Sequence, residues 1–192
     1  MQSTLKLRTC GTDPGFASLG IAIIERDIAD IKLVNVRVVE TKKGDKKAMR
    51  DLRVAADDQR RLREFWDAVS ATITEHKPMA LGVESYAPWP GQMGGSAWKV
   101  AFAMQMVVCC GWHHNLRPLI FRPDDLKRRL LGKNSGTKGE IETALCAKIS
   151  GMREALDKIP KTKREHAADA IGHAYLAMGE VETMRATYGV NF

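Results

Sequence analysis

Three short segments near the amino terminus constrain the fold of this chain more than any other feature. Residues 5–12, 17–24 and 31–40 are strand-like, and the last of them, IKLVNVRVVE, alternates between apolar and polar side chains. A period of two is typical of a β-strand with one buried and one exposed face. Because only short turns separate the segments, we predict an antiparallel meander of three strands.

The remaining predicted elements alternate between helices and strands. In chain order they are a helix from Leu52 to about Glu75, a strand at 79–84, a helix at 96–114, a strand at 118–121, and helices that begin near Pro123, Thr137 and Thr162. The strand MALGVE is almost entirely apolar, as expected of a strand buried on both faces. Thr137 and Thr162 each begin an S/T-x-x-E sequence, which favours a capped helix start. This order predicts an α/β fold in which helices cover the faces of a mixed sheet.

The size and charge of the chain indicate the number of domains and the kind of partner to expect. A length of 192 residues suits a single domain, residues 1–192. The net charge is +7, and basic residues cluster at 41–50, 59–63, 127–133 and 161–164, which favours an anionic partner such as nucleic acid. No apolar run approaches the ~20 residues that span a bilayer, and no cleaved signal is evident. We therefore expect no membrane association and a cytoplasmic location in a bacterium or a phage-infected cell, with an organelle as the alternative.

Two acids lie at the ends of predicted strands. Asp13 follows the first strand in GTDPGFASLG, and Glu84 closes the apolar run MALGVE. Ligand sites in α/β sheets gather at the carboxyl ends of strands, so the two carboxylates converge if these strands are neighbours. An acid that ends a buried strand is costly unless it is paired or bound to a metal. Taken alone, Asp13 before Pro-Gly fits a turn residue better.

A second pair of candidate residues lies in the last predicted helix, within EHAADAIGHAYLAMG. His166 and Asp169 are three residues apart, so both lie on the same helical face. The alanines around them are small enough to let the helix approach a sheet closely. Each residue alone is compatible with an ordinary place on a helix surface. Together with Asp13 and Glu84 they form a donor set that suits a metal site.

Three motifs in this order resemble the RuvC-type Holliday-junction resolvases, a family within the RNase H-like nuclease superfamily. The motifs are D-P-G after the first strand, an apolar strand ending in V-E, and H-A-A-D-A in the last helix. The resemblance extends over about residues 5–180. It implies an RNase H-like fold: a mixed five-stranded sheet, its first three strands antiparallel, with helices on both faces.

The resemblance also implies a catalytic site. Asp13, Glu84 and Asp169 match metal-binding acids of the family, and His166 stands where many members have a fourth Asp and others a His. All four are expected to be catalytic and to bind metal, with His166 either a ligand or the group that orients or deprotonates a water. Two divalent ions about 3.5–4 Å apart can assist phosphodiester hydrolysis. We expect two Mg²⁺ ions, with Mn²⁺ tolerated because of the imidazole.

The basic segment DDLKRRLLGKNSGTKGEI resembles a lysine-bearing stretch of the family. Lys138 matches a lysine near the scissile phosphate and is expected to be catalytic, whereas Lys127 matches a second basic position more loosely. Arg128 and Lys133 are expected to contact DNA with them. The sequence GKNSGTKG lacks the spacing of a phosphate-binding P-loop, so we expect no nucleotide cofactor.

Two further expectations concern DNA branch points and assembly. Tyr86 and Trp89 follow Glu84 and are candidates for stacking on unpaired bases, although packing on their own loop explains them equally well. The family has an aromatic wedge in this loop, one residue from Tyr86.

In the family, the helix that matches residues 96–114 forms a two-fold dimer, so we expect a homodimer. Burial of that helix within one subunit is the alternative.

We therefore predict a metal-dependent endodeoxyribonuclease that resolves four-way (Holliday) junctions by symmetric hydrolysis, leaving 5′-phosphate ends. One alternative is a junction-binding protein without cleavage activity, against which the complete acid set argues. Another is a nuclease of broader specificity for flaps and forks. A phosphotransferase of the actin–hexokinase architecture is disfavoured, because that fold normally needs two such domains and the chain has 192 residues.

Overall fold

The computed structural model describes residues 6–28, 30–44, 54–86 and 97–189. The strands are β1 (Leu7–Pro14), β2 (Ser18–Arg26), β3 (Ile31–Glu40), β4 (Ala80–Glu84), β5 (Arg117–Phe121) and β6 (Ile149–Ser150). The helices are α1 (Val54–His76), α2 (Ala97–His113), α3 (Pro123–Leu131), α4 (Lys138–Cys146), α5 (Met152–Asp157) and α6 (Lys161–Tyr188). None of these helices has the length and apolar character required to cross a membrane.

The strands form one mixed sheet in the order β5-β4-β1-β2-β3-β6. The first three strands are antiparallel neighbours, whereas β4 runs parallel to β1 and β5 runs parallel to β4. The predicted meander and mixed sheet are confirmed, and the two-residue β6 adds a sixth strand beside β3. Because β1 and β4 are parallel neighbours, their carboxyl ends lie at the same edge of the sheet.

Helices cover both faces of the sheet, as predicted. On one face, α1 and α2 bury a cluster that includes Phe65 and Val107 against Leu81 of β4. On the other face, α6 and the shorter helices bury a second cluster that includes Ile24 and Ile171. The sheet is therefore the central layer of a three-layer fold.

Helix α6 lies directly against the sheet because glycines face it from three neighbouring strands. A Cβ atom added to Gly11 of β1 would lie 2.1 Å from a backbone oxygen of α6, and one on Gly82 of β4 would lie 2.3 Å from another. On β2, a Cβ on Gly20 would lie 2.1 Å from the carbonyl oxygen of His166. On the helix side, the contact is lined by small buried residues, Ala167, Ala170, Ala174 and Ala177. Only residues without bulky side chains permit this approach.

One predicted helix cap is confirmed and the other is wrong. The hydroxyl of Thr137 accepts a hydrogen bond from the Glu140 N–H, and the Glu140 carboxylate accepts one from the Thr137 N–H. Thr162 does not cap α6, because that helix already begins at Lys161 and the carbonyl of Pro160 accepts the first helical hydrogen bonds. The sequence pattern also does not indicate the short β6 and α5.

Replacing Gly11 with Ala should destabilise the fold, because the added methyl group would overlap the backbone of α6. We expect the free energy of unfolding, measured by urea denaturation, to fall by about 1–3 kcal/mol, the usual range for an overpacked core. Gly139→Ala is the matched control: a Cβ at this helical position meets nothing within 4 Å, so its stability should be unchanged or slightly higher. Wild-type stability in Gly11→Ala would contradict a direct backbone contact.

Candidate active site

The ends of β1 and β4 and the first turns of α6 meet at one edge of the sheet. Alternate residues of β1 face α6: the buried hydroxyl of Thr9 donates a hydrogen bond to the carbonyl of Ala174 at 2.8 Å, and Gly11 contacts the helix backbone. The same alternation directs Asp13 toward α6. Glu84 ends the neighbouring strand β4, so the fold brings these two acids together as predicted.

His166 of α6 is held between the first two strands. Its Nδ1 lies 2.6 Å from Oδ2 of Asp13, and its Nε2 lies 2.7 Å from Oγ of Ser18. Asp13 is only 8% exposed, whereas His166 is half-buried. The hydrogen bond with Asp13 raises the pKa of His166 above its ordinary value. His166 therefore joins the acidic edge of the sheet rather than the helix surface.

The three carboxylates share a buried region and affect one another's ionisation. Burial and the negative charge of Asp13 raise the pKa of Glu84 to about 8, and the same two causes raise the pKa of Asp169 to about 6. Burial alone would raise the pKa of Asp13 too, but hydrogen bonds with His166 and Glu84 hold it below its usual value. If all three carboxylates were ionised, their negative charge would exceed the positive charge of the surrounding residues.

A cleft of about 270 Å³ opens beside the acids. Its lining includes Glu84 and Asp169 together with the basic residues Lys127 and Lys138. Lys138 is the first residue of α4 and pairs with Glu165. Its charge opposes the rise in the pKa of Glu84 that burial causes. Two of the predicted basic residues therefore lie next to the carboxylates.

The other predicted DNA-contacting residues are not among those that line this cleft. Arg128 and Lys133 are exposed, and each forms an ion pair with an acid of its own segment. Tyr86 is half-buried, and its backbone N–H points to the sulfur of Met104 at 3.3 Å. Trp89 lies outside the described residues. Their roles in DNA binding stay predictions.

His173 belongs to the site, although the sequence motifs do not single it out. It is 2% exposed and lines the cleft with Glu84. Its Nδ1 is buried and has no hydrogen-bond partner among the described residues, and burial lowers the pKa of the ring to about 4. His173 follows His166 by seven residues and Asp169 by four, a helical spacing that could have revealed it.

The donor set fits a divalent cation, although its side chains are not arranged as a finished cage. Within the described ranges, no group of three or more His, Cys, Asp or Glu residues is placed to hold an ion together. Asp13 is instead engaged by His166 and Glu84. Carboxylate oxygens are the preferred ligands of Mg²⁺, and a cation would offset both the burial and the repulsion that raise the pKa of Glu84. Asp13, Glu84 and Asp169 could hold such an ion, with His166 as a nitrogen donor.

Comparison with known proteins identifies the family. The family described as Crossover junction endodeoxyribonuclease RuvC matches residues 9–176, a span that contains the whole acidic cluster. This chain belongs to the RuvC family. The RuvC of Natranaerobius thermophilus is 28% identical over 161 residues, which cover 84% of this chain and 88% of that protein. The RuvC of Prochlorococcus marinus is 26% identical over 174 residues, covering 91% and 98% of the two chains.

The three-dimensional structure of this chain also resembles solved structures of RuvC. A structure described as Thermus thermophilus RuvC in complex with Holliday junction substrate superimposes with a TM-score of 0.68 at 22% identity. The match covers 90% of this chain and 96% of the other. It confirms the predicted RNase H-like α/β architecture.

The raised pKa of Glu84 predicts a pH-dependent stability for the metal-free protein. In the folded state Glu84 keeps its proton up to about pH 8, whereas in the unfolded state it loses the proton near its ordinary pKa of 4.5. The unfolded state therefore binds fewer protons between these values, and stability should fall as the pH rises through them. Glu84→Gln removes this titration, so in EDTA the wild type should lose stability relative to the variant as the pH rises from 4.5 to about 8.

Urea denaturation across this pH range measures the difference in the free energy of unfolding between the wild type and Glu84→Gln. Glu154→Gln alters an exposed acid of α5 and serves as the control, which should follow the wild-type profile. Parallel profiles for wild type and Glu84→Gln would contradict the raised pKa.

Proposed function

We propose that this protein is a metal-dependent endodeoxyribonuclease that resolves four-way DNA junctions by symmetric phosphodiester hydrolysis, leaving 5′-phosphate ends. The observation that carries this proposal is the convergence of three carboxylates and a histidine at one edge of the sheet, beside a cleft with two lysines. Membership of the RuvC family supports the same conclusion. Binding of a four-way junction without cleavage is the alternative that the experiment below must exclude.

Asp13, Glu84 and Asp169 are the proposed metal ligands, and His166 completes the donor set. We propose two Mg²⁺ ions, with Mn²⁺ accepted because imidazole is a better ligand for Mn²⁺ than for Mg²⁺. Bound ions would supply activation of water and neutralisation of charge at the phosphate. Glu84 must lose its proton to act as a ligand, so binding should release protons below about pH 8.

Residues of the chain itself orient His166 and position the DNA phosphates. Asp13 orients the ring of His166 through the hydrogen bond to Nδ1. Lys138 lines the cleft together with Asp169, and its ammonium group would stabilise the negative charge that develops on the phosphoryl oxygens. Lys127, at the same cleft, would neutralise a flanking phosphate. Arg128 and Lys133 would extend this basic surface along the DNA backbone.

One face of α2 supports a homodimer. Trp98, Phe102 and Trp112 are 48%, 51% and 60% exposed, and they recur on one side of the helix together with the exposed Cys109. Trp98 and Phe102 pack edge to face, with ring centroids 5.3 Å apart. Large exposed apolar side chains on a single face mark an interaction surface. A two-fold dimer would place two active sites for the paired strands of a junction.

The direct test is incubation of the protein with a labelled four-way junction, a matched linear duplex, a flap and a fork, in Mg²⁺, Mn²⁺ or EDTA. We expect paired nicks in the junction with either metal, no reaction in EDTA, and little cleavage of the duplex. Asp13→Asn should bind the junction without cutting it. Junction binding by the wild type without cleavage in either metal would overturn the nuclease proposal, and equal cleavage of flaps and forks would broaden the substrate class.

The role of Lys138 can be tested by Lys138→Ala. Removing one group that stabilises developing charge typically lowers the rate constant by about 10²–10³-fold, and we expect a loss of this size in single-turnover cleavage with junction binding nearly retained. Lys148→Ala is the matched control, since this exposed lysine precedes β6 at the opposite end of the parallel strands. An unchanged rate in Lys138→Ala would remove the lysine from catalysis.

A further inference from the structure

Ser18 lies outside every motif that carries the family resemblance, yet it contacts the candidate active site. We propose that Ser18 is a positioning residue that holds the His166 ring with Nδ1 toward the acidic cluster, so that Nδ1 is the nitrogen available to a bound divalent cation. The proposal rests on the proposed function, because it assigns His166 as a ligand in the same site.

The first hairpin fixes both the backbone and the ring of His166. Ser18 is the first residue of β2, and Asp13 lies on the opposite strand β1, paired with Gly20. The ring spans the two strands, with Nδ1 2.6 Å from Asp13 and Nε2 2.7 Å from the Ser18 hydroxyl. The His166 backbone rests on Gly20, where even a Cβ atom has no room. The imidazole therefore has a hydrogen-bond partner on each nitrogen, and the backbone that carries it is fixed against β2.

The chemistry of imidazole makes the second partner important. A nitrogen that binds a cation carries no hydrogen, so the neutral ring must keep its hydrogen on the other nitrogen, which then needs an acceptor. Partners of this kind fix the tautomer and the orientation of metal-binding histidines. The Ser18 hydroxyl can accept a hydrogen bond from Nε2–H and can also donate one. It therefore remains a partner of Nε2 whichever tautomer the ring adopts.

The two nitrogens of His166 thus have different surroundings. Asp13 is itself a proposed ligand, so Nδ1 faces the position where a cation would be shared with the carboxylates. Nε2 faces a neutral hydroxyl on the neighbouring strand. Without Ser18, Nε2 would lose this acceptor, and the ring would be held from its Nδ1 side alone. The expected result is a weaker and less ordered metal site.

Calorimetric titration of the full-length protein with Mn²⁺ tests the role of the hydroxyl. Loss of such a partner typically weakens metal affinity by about 10–100-fold, and we expect a loss in this range for Ser18→Ala. Ser18→Thr should retain most of the affinity, because it keeps the hydroxyl. Ser18→Val, which has the shape of threonine but no hydroxyl, should behave as Ser18→Ala.

Ser70→Ala is the matched control. The Ser70 hydroxyl lies 2.7 Å from Nε2 of His114, a hydrogen bond of the same kind between α1 and the end of α2, on the opposite face of the sheet. Its removal should leave Mn²⁺ affinity unchanged. Equal affinities of wild type and Ser18→Ala, or of Ser18→Thr and Ser18→Val, would overturn the proposal.

Nitrogen NMR of ¹⁵N-histidine-labelled protein tests the assignment of the nitrogens without any assay of activity. On addition of Mg²⁺ to the wild type, the Nδ1 resonance of His166 should lose the character of a protonated nitrogen, and Nε2 should keep it. The opposite assignment would overturn the proposal. Absence of Mn²⁺ binding by the wild type would overturn the proposed metal site as well, whereas normal binding and cleavage by Ser18→Ala would overturn the role of Ser18 alone.

Discussion

The candidate active site depends on the direct contact between the backbone of α6 and three glycines of the sheet. Because no side chain separates the two layers at Gly11, Gly20 and Gly82, the helix is as close to the strands as backbone atoms allow. His166 and Asp169 therefore reach the carboxyl ends of β1 and β4 with short side chains. Any residue with a Cβ in this contact would lift the helix and separate the donors that belong to it from those that belong to the sheet.

The same closeness explains the electrostatics of the site. Burial of the carboxylates and their mutual repulsion together raise the pKa of Glu84. Groups arranged in this way reduce the stability of the protein at neutral pH, and strongly perturbed pKa values of this kind cluster at functional sites. The basic residues Lys127 and Lys138 line the same cleft as Glu84 and Asp169, so positive charge lies beside the acids.

The sequence predicts those parts of the site that depend on local patterns. The strand-like segment 5–12 placed Asp13 at the end of a strand, and the i, i+3 spacing placed His166 and Asp169 together on a helix. The contacts that depend on residues distant in the chain were not predictable in this way: the hydrogen bond of Ser18 to His166 joins positions 148 residues apart. Thr162 shows the opposite error, because a local capping pattern was overridden by a helix that begins one residue earlier.

The capping box of Thr137 and Glu140 has a mechanical consequence for Lys138. The cap holds the Cα of this lysine at a rigid helix start, while its side chain is 68% exposed and its ion pair with Glu165 faces solvent. An exposed ion pair of this kind contributes at most about 1 kcal/mol, so the ammonium group can exchange Glu165 for another anion at little energetic expense. The backbone of Lys138 is therefore fixed in position, while its side chain can redirect the ammonium group from Glu165 to another nearby anion.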